Sequence, residues 1–146
     1  MATYCTDQDL LTYRSNILDL GVDDWEKQRL EAFDVINRML VARWYNQAAK
    51  VQGVDPTLTL FDPTKVEDGA LTRLECYKTL EFAYMILMKD CPEPDGFERN
   101  MDLFAKLFGN EFDTIIGMGL SYDWDDSGAI EYDEYKMNAP RRLSRA

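Results

Sequence analysis

The chain contains no histidine. That absence removes the side chain most used for proton transfer near neutral pH, and with it Ser/His/Asp and Cys/His triads and most zinc sites. An enzyme built from this sequence would have to run on carboxylates, lysine or tyrosine. Cysteine is scarce as well: Cys5, Cys76 and Cys91 are an odd number, far apart, with no CxxC pair. This usage predicts free thiols in a reducing compartment and argues against a disulfide framework. The longest unbroken apolar run, Phe82 to Met88, is far too short to span a bilayer. No glycine-rich phosphate loop is present, and no surface combining aromatics with basic residues as single-strand binders use. Met1 to Asp7 has neither a basic leader nor an apolar signal core, so the expectation is a protein that is intracellular at synthesis.

What is present is acid. The net charge is −11 over 146 residues, enough to repel free nucleic acid and anionic membrane. The last eleven residues hold Lys136, Arg141, Arg142 and Arg145 without an acid, a local +4 that leaves −15 for the rest. Such a tail reads either as an arm that docks on an acidic surface or as a solvated terminus. An apolar content of 46% with 12% aromatics is globular composition, and the length suits one domain with a real core.

Helical signals run through most of the chain. Thr6-Asp7-Gln8-Asp9 has a cap residue with acids in the first turn, predicting a short helix to about Tyr13. Asp23-Asp24-Trp25-Glu26 is a capping-box variant. From there to about Ala49, Trp25, Phe33, Ile36, Leu40 and Trp44 share one stripe, opposite Lys27, Glu31, Asp34 and Arg38. Residues 51–66 read as a loop in which Asp62-Pro63 can cap a single turn. A second long helix is expected from Glu67-Asp68 to about Asp90. Its apolar residues surround the axis towards the C-terminal end, so it must be enclosed by its own bundle or by neighbouring subunits. Cys91-Pro92-Glu93-Pro94-Asp95-Gly96 breaks the chain. A third helix from about Phe97 aligns Met101, Phe104, Phe108, Phe112 and Ile115, with Gly117 and Gly119 ending or bending it. The expected fold is mainly α: a small bundle of three long helices plus a short N-terminal one, with an extended C-terminal loop or hairpin and arm. The corresponding division is 1–121 for the helical bundle domain and 122–146 for the acidic loop and basic arm.

One segment matches a chemical motif. Asp123-Trp124-Asp125-Asp126-Ser127-Gly128-Ala129-Ile130-Glu131-Tyr132-Asp133-Glu134 follows the twelve-residue EF-hand calcium loop. Asp123, Asp125 and Ser127 would supply oxygens at the first, third and fifth positions, and Gly128 the sharp turn. Ala129 would offer its carbonyl, Glu131 a contact through water, and Glu134 the closing bidentate carboxylate. Ca2+ is therefore a candidate ligand, although no second EF-hand exists. The alternative is a β-hairpin with Tyr122 and Trp124 on one strand, Ile130 and Tyr132 on the other, and Asp126-Ser127-Gly128 at the turn.

The opening Tyr4-Cys5-Thr6, Asp9-Leu10 and Tyr13, then Gly21-Val22 and Asp24, then Arg38-Met39-Leu40 and Trp44-Tyr45, resemble small head–tail connector (adaptor or head-completion) proteins of tailed bacteriophages. The acidic Tyr122-Asp123-Trp124-Asp125 is also similar to theirs. The resemblance implies a helical bundle with loops or arms and no catalytic residue. It implies a homo-oligomeric ring, commonly twelve-fold, beneath the portal protein, joined below by tail or neck proteins. Packaged DNA would pass the channel without specific binding, and no membrane would be involved. The implied location is the virion neck, with host cytoplasm before assembly, and the arm of Lys136, Arg141, Arg142 and Arg145 would reach the portal or a neighbouring subunit. Two rivals remain open from the residues alone: a calcium-responsive binding module gated by the Asp123–Glu134 loop, and a carboxylate hydrolase with no paired-acid spacing to recommend it.

Overall fold

The computed structural model describes residues 3–89, 91–93 and 95–130. The chain is mainly helical, and among the described residues there is no strand. The helices are α1 (Asp7–Leu11), α2 (Glu26–Leu40), α3 (Asn46–Val51), α4 (Thr72–Lys89) and α5 (Asp95–Met118). None is long and apolar enough to cross a membrane. Glu131, Glu134, Tyr132 and the arm residues Lys136, Arg141, Arg142 and Arg145 lie outside the described residues.

Local chemistry explains where most helices begin and end. Thr6 and Asp9 form a reciprocal capping box at α1: each side chain accepts the other's backbone N–H, at 3.3 and 2.8 Å. Asp24 accepts from the Glu26 N–H at the head of α2. Between α2 and α3 the helix does not stop. Val41–Tyr45 widens into a π turn, closed by the Asn46 N–H on the Val41 carbonyl. The extra residue lets consecutive Trp44 and Tyr45 both be buried, which an unbroken 3.6-residue period does not favour. The helix expected from 24 to 49 is therefore present with one insertion inside it.

α4 begins at Thr72, later than the sequence suggests. Gly69 has a φ of +79°, and the Ala70 N–H closes a turn on the Glu67 carbonyl. That left-handed residue ends the turn before a helix can propagate. α5 runs through Gly109 and stops at Gly119, whose φ of +89° and N–H bond to the Ile115 carbonyl make a left-handed C-terminal cap.

The chain packs as two units. The first comprises residues 3–36 and 71–112, and the second 37–70 and 113–130. The first unit has an apolar core of Leu10, Ile17, Trp25, Leu80, Ala83, Tyr84 and Phe104, with Cys5 and Cys76. Trp25 donates its indole N–H to the Ile17 carbonyl at 3.0 Å, so burial of that large ring leaves no orphaned donor. The segment before α1 is tied down from two sides. Thr72 donates to the Tyr4 carbonyl and the Cys5 amide donates to the Glu75 carboxyl, while Arg29 of α2 bonds Thr3, the Cys5 carbonyl and Asp7. α4 buries Leu74, Glu75, Cys76, Thr79, Leu80, Ala83 and Tyr84. Met85 and Ile86 nevertheless stay exposed, at 42% and 37%. Among the described residues, none fully covers these two side chains at the apolar end of α4.

Candidate functional site

The second unit gathers the features that point to recognition. Its centre is an aromatic cluster of Trp44, Tyr45, Phe61, Tyr122 and Trp124. Tyr45 stacks on Trp124 with ring centres 5.6 Å apart, Tyr122 lies 4.6 Å from Trp124, and Phe61 stacks on Tyr122 at 5.7 Å. The π turn presents Tyr45 to this cluster. Tyr122 arrives on an extended segment that runs antiparallel to residues 65–67 through Glu67 N–H to Ser121 carbonyl and Asp123 N–H to Lys65 carbonyl bonds.

Both tyrosine hydroxyls are spent on one loop. Tyr45 donates to the Thr59 carbonyl at 2.6 Å, and Tyr122 accepts from the Asp62 N–H at 3.0 Å. Burial pushes both phenols up, so they remain protonated and keep these bonds across the neutral range. Within the loop, Asp55 accepts from the N–H and hydroxyl of Thr57, and Asp62 does the same for Thr64 at the Pro63–Lys65 turn. Those bonds hold both carboxyls below the usual range. The consequence is a fixed protrusion: Leu58 and Leu60 flank the anchored Thr59 yet are 83% and 74% exposed. Beside them lies a groove of about 390 Å³ lined chiefly by Val41, Tyr45, Pro56, Leu60, Phe61 and Pro63, with Arg38 at its edge.

The acidic loop has definite geometry as far as it is described. Asp123 is 6% exposed, and its two oxygens accept from the N–H groups of Ser127 (3.2 Å) and Gly128 (2.9 Å). Asp125 accepts from the same Ser127 N–H at 3.0 Å, so both carboxylates converge on one amide. Ser127 donates to the Ala129 carbonyl at 2.9 Å. Its hydroxyl and amide bonds hold the Asp125 carboxyl below the usual range. Asp126 and Gly128 take left-handed φ values of +58° and +85°, which wind the loop tightly. Lys65 reaches Asp126 at 3.5 Å. A cleft of about 560 Å³ opens between this loop and the segment Thr64 to Asp68.

Asp123, Asp125, Ser127 and Ala129 are thus brought together, with Asp123 and Asp125 both accepting from the Ser127 amide. Their oxygens already accept loop amides, and among the described residues no group of three or more acids or cysteines has metal-binding geometry. The motif's closing ligands, Glu131 and Glu134, fall outside the described residues. The bridge formed by Tyr122 is with Val66.

Sequence reasoning missed Tyr45, Phe61 and Lys65 as parts of this region. Two aromatic pairs, Trp44-Tyr45 and Tyr122 with Trp124, were visible, but nothing in their spacing says that they meet. No family model matches the chain, and neither a curated protein nor a solved structure matches it.

Proposed function

We propose that this chain is a structural head–tail connector of a tailed phage, a ring-forming adaptor that joins portal to tail and helps retain packaged DNA. The observation that carries the reading is apolar surface held outward by design of the backbone. Leu58 and Leu60 are displayed on a loop pinned by two buried tyrosines, and Met85 and Ile86 remain uncovered on α4. Large apolar side chains fixed in solvent cost free energy and are tolerated where a neighbouring copy or larger assembly covers them. The likeness of Tyr4-Cys5-Thr6, Trp44-Tyr45 and Tyr122 to Asp125 to connector proteins supports this choice of assembly. The finer architecture that belongs to this reading is a bundle of three long helices plus the short leading one. A strongly acidic body suits a channel wall along which DNA slides without sticking.

The basic arm of Lys136, Arg141, Arg142 and Arg145 is the attachment device in this reading, reaching portal or the adjacent subunit and ordering as it binds. Deleting residues 139–146 is expected to leave the protomer folded by circular dichroism and to abolish its attachment to DNA-filled heads. Normal attachment of the truncated protein would sink the arm.

A second reading, a calcium-binding interaction module, draws on the convergence of Asp123 and Asp125 on the Ser127 amide. Calorimetric titration with calcium at millimolar concentration decides it: binding heat that disappears in Asp123→Asn supports the module, and no heat removes it.

A further inference from the structure

We propose that Cys5 and Cys76 form an intramolecular dithiol that a low-molecular-weight disulfide converts into a bond stapling the N-terminal segment to α4. The inference goes beyond the connector reading and does not depend on it. Three observations place the two thiols together. The Tyr4 carbonyl is held by Thr72 at 2.8 Å and the Cys5 amide by Glu75, so residues 4 and 5 lie along one stripe of α4. Thr72 and Cys76 are four apart and Glu75 adjoins Cys76, so this stripe carries the second thiol. Cys5 and Cys76 also belong to the same buried cluster, at 2% and 0% exposure. Cys91 is separate, with its thiol donating to the Glu93 carbonyl at 3.3 Å.

The closed arrangement is protected. The Cys76 thiol beside it, together with burial, pushes the Cys5 thiol up, so little thiolate exists while the segment is seated. Reaction therefore proceeds when the segment before α1 lifts in a local opening. The Cys5 thiolate attacks one sulfur of the small disulfide and expels one small thiolate. When the segment reseats, the Cys76 thiolate attacks the Cys5 sulfur of the mixed disulfide and expels the second. Two protein thiols are oxidised, one small disulfide is reduced to two thiols, and the two protons pass from the protein sulfurs to the leaving thiolates.

The full chain is incubated with oxidised glutathione, remaining thiols are alkylated in denaturant, and the monomer is digested without reduction for mass spectrometry. The expected result is a peptide pair linked through Cys5 and Cys76, with Cys91 alkylated or glutathionylated. Closing so long a loop should raise the melting temperature by roughly 5–10 °C. The rise should vanish in Cys5→Ser or Cys76→Ser and persist in Cys91→Ser. Should the serine variants fail to fold, peptide mapping of the wild type still decides. Cys5 and Cys76 left unlinked under conditions that modify Cys91, or linked only through Cys91, overturns the proposal.

Discussion

The two units of this protein are held together by different means. In the first, side chains such as Leu10, Ile17, Trp25 and Leu80 vanish into an apolar core, and the chief polar intruder is Glu75. In the second, a few aromatic rings do the packing while their hydroxyls reach out to fix a loop. The first unit spends its large residues on stability. The second uses Tyr45 and Tyr122 to keep Leu58 and Leu60 in water, where they do nothing for the lone protomer. The connector proposal gives that displayed surface a neighbouring copy to cover it.

Substitutions can break that contrast, and the largest effect belongs to the first unit. Trp25→Ala removes a fully buried ring and its bond to Ile17, and should cost about 3–5 kcal/mol in urea unfolding. A cost below about 1 kcal/mol would show that this core is not the stabilising one. In the second unit, Tyr122→Phe keeps the ring and strands the Asp62 N–H, an expected loss of about 1–3 kcal/mol. Hydrogen exchange should then accelerate across residues 57–62 and leave α4 unchanged. Uniform acceleration would deny the tyrosines their local role.

Glu75 sharpens the comparison through pH. Burial raises its carboxyl above the ordinary value of 4.5, although the Cys5 thiol, the Cys5 and Tyr4 amides and the Arg29 guanidinium pull it back. A raised folded value means the neutral form is favoured in the folded state. The associated stability is complete below about pH 4.5 and is lost as pH climbs through the folded value. Glu75→Gln should therefore gain on the wild type as pH rises, read from melting curves at several pH values. A gap that is flat with pH would show the carboxyl to be unshifted. The smallest effect is expected for Lys65→Met, which removes a 3.5 Å pair with an 80% exposed Asp126 side chain. Its cost should stay within about 0.5 kcal/mol and shrink further in salt.

Much of the helical frame was legible because its signals are local. Thr6 and Asp9, the stripe from Trp25 to Trp44, the Asp62-Pro63 turn and the Phe104–Phe108–Phe112 face each follow from residues within a turn or two of one another. α4 starts later than the Glu67-Asp68 acids suggest because Gly69, with its left-handed backbone, stops the helix. The π turn was invisible because one inserted residue barely disturbs a hydrophobic period, yet it sets both Trp44 and Tyr45 inward. The aromatic cluster joins residues nearly eighty apart, and the Cys5–Cys76 pairing spans about as much chain. Such contacts depend on tertiary packing, which spacing in a single sequence does not encode. Of the acidic loop, the tight winding around Ser127 and Gly128 was readable from the motif, and the burial of Asp123 was not.

The displayed leucines carry the account, and association is where they can be tested. The proposed connector role predicts that analytical ultracentrifugation will show the wild-type chain entering a large ring-sized complex with a tailed-phage portal protein. Leu58→Asp with Leu60→Asp should abolish that complex while leaving the melting temperature of the protomer unchanged. Wild-type protein that ignores the portal, or a double variant that assembles as well as the wild type, would contradict the central claim.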